Sequence, residues 1–211
     1  MRLALNLIYG SDQVKKGKAL IILASLITCL ITGCFGGSDD LNDTTLSISS
    51  KGEITHHIVE SFDKSYYNED ELRTGINEQI EEYCNSKGDD SLIKLQDLKI
   101  LDGVATADLI FKDCSDYSAF NEVDLFYGTI EEAMEADYPT DVTLKSVEDD
   151  ETIGKYEFEA LADSKIIVTG ESLIIKAPGK IAYTTANIDV IDKSTAKMAS
   201  DSVGVGYIVL K

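Results

Sequence analysis

The chain has 211 residues, 38 acidic and 19 basic side chains, a formal charge of −19 and an apolar share of 44%. Such an excess of carboxylates repels phosphate backbones and anionic surfaces, and no basic stripe offsets it, which argues against nucleic-acid binding. The length suits one domain with an ordinary core; the charge suits solubility, with a cation-binding or basic-partner role as the alternative.

Residues 19–33 carry no charge, and Lys15, Lys16 and Lys18 stand just before them. A basic start followed by a short apolar core is the pattern of an export signal. At roughly 1.5 Å per residue the run would span about 22 Å as a helix, short of the roughly 30 Å hydrocarbon core, so it is expected to be cleaved rather than to stay as a span. The first thirteen residues fit no part of such a signal, which is expected to open near Val14.

Leu30-Ile31-Thr32-Gly33-Cys34 resembles a bacterial lipobox: branched apolar residue, two small residues, cysteine. The resemblance covers residues 14–34. It implies cleavage after Ile31, Thr32 and Gly33, a diacylglyceryl (palmitate-type) lipid on Cys34, and an address on the extracytoplasmic face of the cell membrane. An ordinary membrane anchor with a chance cysteine is the other reading. Each buried methylene contributes about 0.8 kcal/mol, so two acyl chains hold firmly where one holds marginally. The first 33 residues carry four basic side chains and one acidic, so the following 178 carry −22.

Residues 35–45, with Gly-Gly-Ser-Asp-Asp and Asn-Asp-Thr-Thr, have little to bury and are expected to form a flexible tether behind Cys34. The expected organisation is therefore a signal at 1–33, lipidated cysteine and tether at 34–45, and one domain at 46–211, with a subdomain break near 139 left open.

Along that domain, alternation at Leu46 and Ile48, the Lys51-Gly52 interruption and the run 54–62 predict a hairpin. Asn68 ahead of Glu71, with Leu72, Ile76, Ile80 and Cys84 at every fourth position and Gly88 beyond, predicts a helix over 69–87. Asp102-Gly103 between 92–101 and 104–111 is a two-residue hairpin turn, since both turn positions need positive φ. It puts Ala105, Ala107, Leu109 and Phe111 on one face. A turn or short helix near 116–120 precedes an apolar run at 123–127, and Thr129 with Glu132 caps a short helix ended before Pro139.

Beyond Pro139 short strands with regular turns are expected: 142–147, an alternating stretch at Tyr156, Phe158 and Ala160, then 166–169 turning through Gly170-Glu171 into 173–176. Ala177-Pro178-Gly179-Lys180 has the chemistry of a type II turn, and 181–185, 188–191, 195–198 and 205–210 complete a meander. The expected fold is α+β, a mainly antiparallel sheet with one long and one or two short helices and a β-rich C-terminal part.

Cys29 leaves with the signal and Cys34 takes the lipid, leaving Cys84 and Cys114. An exported pair permits a disulfide; two buried thiols are the alternative, since Cys84 falls on the apolar face of a helix. His56 and His57, adjacent on a strand, point to opposite faces and cannot share one ion. A Cys-His hydrolase built from these four residues lacks any local signal that activates a thiol. The Ser-x-x-Lys matches at Ser91 and Ser194 lack the partner motifs of penicillin-interacting enzymes. The acidic clusters lack the spacing of a calcium loop, and there is no phosphate-binding glycine loop or zinc-type cysteine pairing, so no cofactor or metal is expected.

Tyr66-Tyr67, Tyr117, Tyr127 and Tyr138, in a chain without tryptophan, can line a ligand groove, with Tyr66, Tyr127 and His56 as the candidates; packing between helix and sheet is the alternative. Lys51-Gly52-Glu53-Ile54, the Glu60-Ser61-Phe62-Asp63 to Tyr67 segment and Pro178-Gly179-Lys180-Ile181-Ala182-Tyr183 resemble small surface lipoproteins of Gram-positive anaerobes, a family with no assigned activity. Together these readings lead to a lipid-anchored, non-enzymatic binding module for an unknown ligand or envelope protein. An envelope enzyme and a structural envelope component are the alternatives.

Overall fold

The structure, a computed structural model, describes residues 43–149 and 151–211. The signal, the cleavage residues, Cys34 and most of the tether lie outside the described residues. The fold is α+β: the described residues form thirteen strands in two sheets, with four helices.

The first hairpin pairs β1 (Thr45–Ile48) with β2 (Ile54–Ser61), Ile48 opposite Ile54, as the alternation predicts. Helix α1 (Glu69–Lys87) starts at Asn68, whose side chain accepts from the backbone N–H of Asp70 and Glu71. It ends at Gly88, left-handed at φ 73°. Ile76, Ile80 and Cys84 form its buried stripe. β3 (Ile93–Leu101) and β4 (Val104–Phe111) meet at Asp102-Gly103, both at positive φ.

Helix α2 (Cys114–Asn121) leads to β5 (Leu125–Thr129), and Thr129 with Glu132 makes a reciprocal capping box on α3 (Ile130–Glu135). The remaining elements are β6 (Leu144–Ser146), β7 (Thr152–Ile153), α4 (Lys155–Glu159), β8 (Lys165–Thr169), β9 (Ile174–Lys176), β10 (Ile181–Thr184), β11 (Ile188–Val190), β12 (Thr195–Met198) and β13 (Gly206–Leu210).

Sheet A runs β11-β12-β9-β1-β2-β4-β3 and sheet B runs β5-β8-β13-β10-β6-β7. Pairing is antiparallel throughout except between β1 and β9. One face of sheet A, with Leu46, Ile54, Leu109, Phe111 and Ile175, packs in a common core with α1, Tyr117 of α2, and Ile167, Ile208 and Leu210 of sheet B. The other face of sheet B, with Ile166, Val168, Tyr207 and Val209, packs against Ile130 and Ala133 of α3 and Phe158 of α4. Sheet B is thus the middle layer. Its strands Lys165–Thr169 and Gly206–Leu210 read as near-continuous apolar runs because both of their faces are buried.

Four expectations change. The alternating stretch at 155–160 is helix α4: the Glu157 carboxylate accepts from the Gly154 N–H at 3.2 Å, and Tyr156 is 82% exposed while Phe158 is buried. The even spacing there did not mark one buried face. The C-terminal strands are no meander, because β9, β11 and β12 join sheet A while β8, β10 and β13 join sheet B. Gly170-Glu171 and the segment 177–180 are therefore crossovers between sheets. Gly179 does not take positive φ, so Ala177-Pro178-Gly179-Lys180 is not a type II turn; the Ile181 N–H donates to the Lys193 carbonyl and the Lys211 N–H to the Lys180 carbonyl instead.

Strands from both sides of Pro139 enter both sheets, β5 preceding it in sheet B and β9, β11 and β12 following it in sheet A. The two parts share a core. Cys84 and Cys114 are both buried and unbridged, so the disulfide is absent. Among the described residues, no helix is long and apolar enough to cross a membrane.

Candidate functional site

Position on β2 separates the two histidines. His56 pairs with Leu46 and Leu109 in the core, 3% exposed, and neither ring nitrogen has a hydrogen-bond partner. Its ring meets Tyr117 edge-on at 5.4 Å, and the Tyr117 hydroxyl donates to Glu171 at 2.6 Å. Burial holds the His56 pKa down at about 3, so the ring is neutral at physiological pH.

His57 faces the opposite side. Its Nδ1 lies 2.6 Å from an Asp108 carboxylate oxygen on β4, the residue directly across the strand pair, and its Nε2 is shielded from water without a partner. Thr45, also buried, is its neighbour on β1. Asp97 stands beyond Asp108 on β3, where a bulge after Leu95 brings the two carboxylates opposite each other. Like charges at such a position repel; the Lys99 ammonium, paired with Asp97, offsets them, and Asp108 is hydrogen-bonded to His57.

A cleft of about 560 Å³ opens between α2, β5 and the segment after α3. One face of α2 supplies Cys114, Ser115, Ser118 and Ala119; Glu122, Val123 and Asp124 form the rim; Phe126 and Tyr138 form an aromatic wall, rings 5.4 Å apart. The Ser118 hydroxyl fixes the geometry, donating to the Leu125 carbonyl at 2.9 Å and accepting from the Leu125 N–H at 3.0 Å. Helix and strand are stitched at the floor.

Of the three non-glycine residues at positive φ among the described residues, two border this cleft: Glu122 at φ 57°, ending α2, and Asp137 at φ 62°, between the lining residues Ala136 and Tyr138. Helices that end in this conformation ordinarily use glycine or asparagine there, because a Cβ costs about 1 kcal/mol. Burial raises the Tyr138 phenol, and the Asp124 charge adds to the shift. Burial pushes the Cys114 thiol up to about 12, with Asp113 adding to it, so it stays protonated and is a poor nucleophile.

None of Tyr66, Tyr127 and His56 lines this cleft; of the tyrosine group only Tyr138 does. Tyr66 is 70% exposed on the loop before α1, Tyr127 packs from β5 against the main core with Lys165 over its ring at 5.7 Å, and His56 is inside that core. Sequence reasoning missed Asp108 and the Glu122–Asp124 rim. Asp108 carried a readable signal as the one charge in the strand Val-Ala-Thr-Ala-Asp-Leu-Ile-Phe; the rim carried none, since nothing in the contiguous Glu122-Val123-Asp124 says that it faces Phe126 and Tyr138. Among the described residues no group of three or more histidine, cysteine, aspartate or glutamate side chains is placed to hold a metal ion.

Comparison with protein-family models, with curated proteins and with solved structures finds no match for the chain.

Proposed function

We propose that the chain is an extracytoplasmic lipoprotein, held at the cell membrane by acyl chains on Cys34, that works as a non-enzymatic binding module. The observation that carries this reading is the order of Lys15 to Lys18, the uncharged run 19–33 and Ile31-Thr32-Gly33-Cys34. The Cys34→Ser chain, expressed in its host, is expected to lose both acyl mass and membrane retention; continued retention would contradict the anchor.

The cleft supports the binding half. Two rim carboxylates, an aromatic wall and a serine-bearing helix face suit a small organic cation, whose charge the carboxylates balance and whose carbon skeleton the rings cover. The probe is a series of n-alkylammonium ions followed by thermal shift, since a ligand of the folded state raises the melting temperature. Asp124→Asn is expected to weaken the response about fivefold or more. A response to carboxylates in place of amines would reverse the assignment.

A second reading, an envelope enzyme, rests on the His57–Asp108 pair, in which the carboxylate orients the imidazole; Nε2 is shielded from water, so acid–base work there requires the covering side chains to move aside. An acid–base activity lost in His57→Gln and kept in Asp124→Asn would replace the first reading.

A further inference from the structure

The end of sheet A where the chain enters the domain carries exposed apolar side chains at positions that turns usually give to polar residues. Thr44 is bound to Val59, its hydroxyl accepting from the Val59 N–H at 3.0 Å, and Thr45 lies opposite His57, so the chain comes in beside the C-terminal end of β2. At that same end Ser61 pairs with Val104, Val104 with Leu101, and the Phe62 N–H donates to the Gly103 carbonyl at 2.7 Å. Leu101 is 73% exposed, Tyr66 70% and Val104 39%. Phe62 and Tyr67 stand behind them with rings 4.9 Å apart, and Tyr66 meets Tyr67 edge-on at 4.9 Å. The aromatic cluster is therefore assembled in the folded domain and does not need a partner to form it.

We propose that this tip, Tyr66, Leu101 and Val104 backed by Phe62 and Tyr67, seats in the interface of the lipid bilayer to which the protein is anchored. The inference rests on the Cys34 anchor of the preceding reading and adds an orientation to it. From Cys34 to Asp43 the chain has nine steps, and at about 3.5 Å per residue they cannot span more than roughly 31 Å. Crossing from β1 over β2 and β4 to β3 is three strand spacings, about 14 Å. A tether of that length lets this end of the domain, where the chain enters, turn toward the surface and bring the tip to it. Tyrosine at such a level keeps its ring among acyl carbons and its hydroxyl in water, and leucine and valine contribute apolar area.

Charge selects the lipid. A net −22 beyond residue 33 opposes an anionic surface, and Asp63 and Asp102 flank the tip, so seating is apolar in origin, shallow and strongest on zwitterionic headgroups. Asp63 is paired with Lys64 at 3.1 Å, which leaves the rim close to neutral on that side.

The test uses the full, acylated protein in phosphatidylcholine vesicles. Leu101→Cys and, as control, Ile191→Cys are labelled with an environment-sensitive fluorophore. Ile191 is exposed and follows β11 at the far end of sheet A, where β12 and β9 meet Ser47 and the β1–β2 turn. Labelling is selective because Cys84 and Cys114 are buried. A lipid carrying a quencher near its headgroup is expected to quench the probe at 101 at least threefold more than the probe at 191, and adding anionic lipid is expected to narrow that ratio. Equal quenching in protein that stays on the vesicles overturns the tip and leaves the anchor standing. Protein that lacks acyl mass and leaves the vesicles overturns the anchor, and the tip with it. Shielding of position 101 that persists in detergent and grows with protein concentration assigns the tip to a second copy of the chain and overturns the bilayer assignment.

Discussion

Sheet B is buried on both faces, whereas sheet A is buried on one. In β8 and β13 consecutive side chains alternate between two apolar cores, so every position from Ile166 to Val168 and from Tyr207 to Leu210 is buried. In β2 and β4 only every second residue is: Ile54, His56, Leu109 and Phe111 face in, while Thr55, His57, Thr106 and Asp108 face out. The free face of sheet A can therefore carry a polar pair such as His57–Asp108 without disturbing the core. In sheet B a polar side chain must find a partner inside, as Tyr207 does by donating to the Pro139 carbonyl at 2.9 Å.

The largest expected effect comes from the middle layer. Ile208 is fully buried between sheet A and the rest of sheet B, and Ile208→Ala should cost about 3 to 4 kcal/mol through lost transfer energy and the cavity left behind. Thr106→Ala, on the free face of β4, should change stability by less than about 0.5 kcal/mol. Urea unfolding of both variants reads the contrast directly. Comparable losses would mean that the outer face of sheet A is covered as tightly as the inner one.

His56 breaks the pattern from inside, because it is a polar ring on the buried face. Its folded-state pKa, about 3, lies below the ordinary 6.5, so the unfolded chain takes up the proton first. Above about pH 6.5 this proton uptake costs nothing; as pH falls from 6.5 toward 3 the native state loses about 1.4 kcal/mol per unit, about 5 kcal/mol in all. His56→Leu removes the titrating ring and its two unpartnered nitrogens. The variant should be more stable by about 1 to 2 kcal/mol at neutral pH, and its margin over the parent should widen steadily below pH 6.5. Carboxylate titration is common to both proteins, so the difference between their urea midpoints at pH 7, 5 and 4 isolates the ring. Parallel pH profiles would show that the imidazole reaches water in the folded protein.

Local chemistry made the first two thirds of this fold legible. Asn68, Gly88, Asp102-Gly103 and the Thr129/Glu132 box each act within four residues, and each stands where its chemistry requires. The C-terminal third resisted because its strands are short and consecutive ones belong to different sheets. Nothing in 166–169 or 174–176 says that β8 pairs with β13 while β9 runs parallel to β1. The alternation at 155–160 misled for a related reason, since six residues hold fewer than two turns of a helix, too few for the 3.6-residue period to show against alternation. The histidines divided the same way: strand geometry put His56 and His57 on opposite faces, but only the assembled sheet set Asp108 beside one and Tyr117 against the other. The cleft was the least legible feature, joining α2 to residues that follow α3.

The smallest effect separates that cleft from ordinary loop structure. Glu122 ends α2 in the left-handed region, where glycine carries no Cβ penalty, so Glu122→Gly should stabilise the fold by about 0.5 to 1 kcal/mol once the greater freedom of the unfolded chain is subtracted. A cation site at the rim predicts the opposite sign for binding: the same variant should lose affinity for alkylammonium ions, because one of two rim carboxylates is gone. Glu122→Asn separates the two contributions, since asparagine tolerates the backbone but carries no charge. If Glu122→Gly and Glu122→Asn are both more stable and both bind more weakly, the strained glutamate is kept for its charge, as strain held at functional sites implies. Unchanged affinity in both would move the ligand site away from α2.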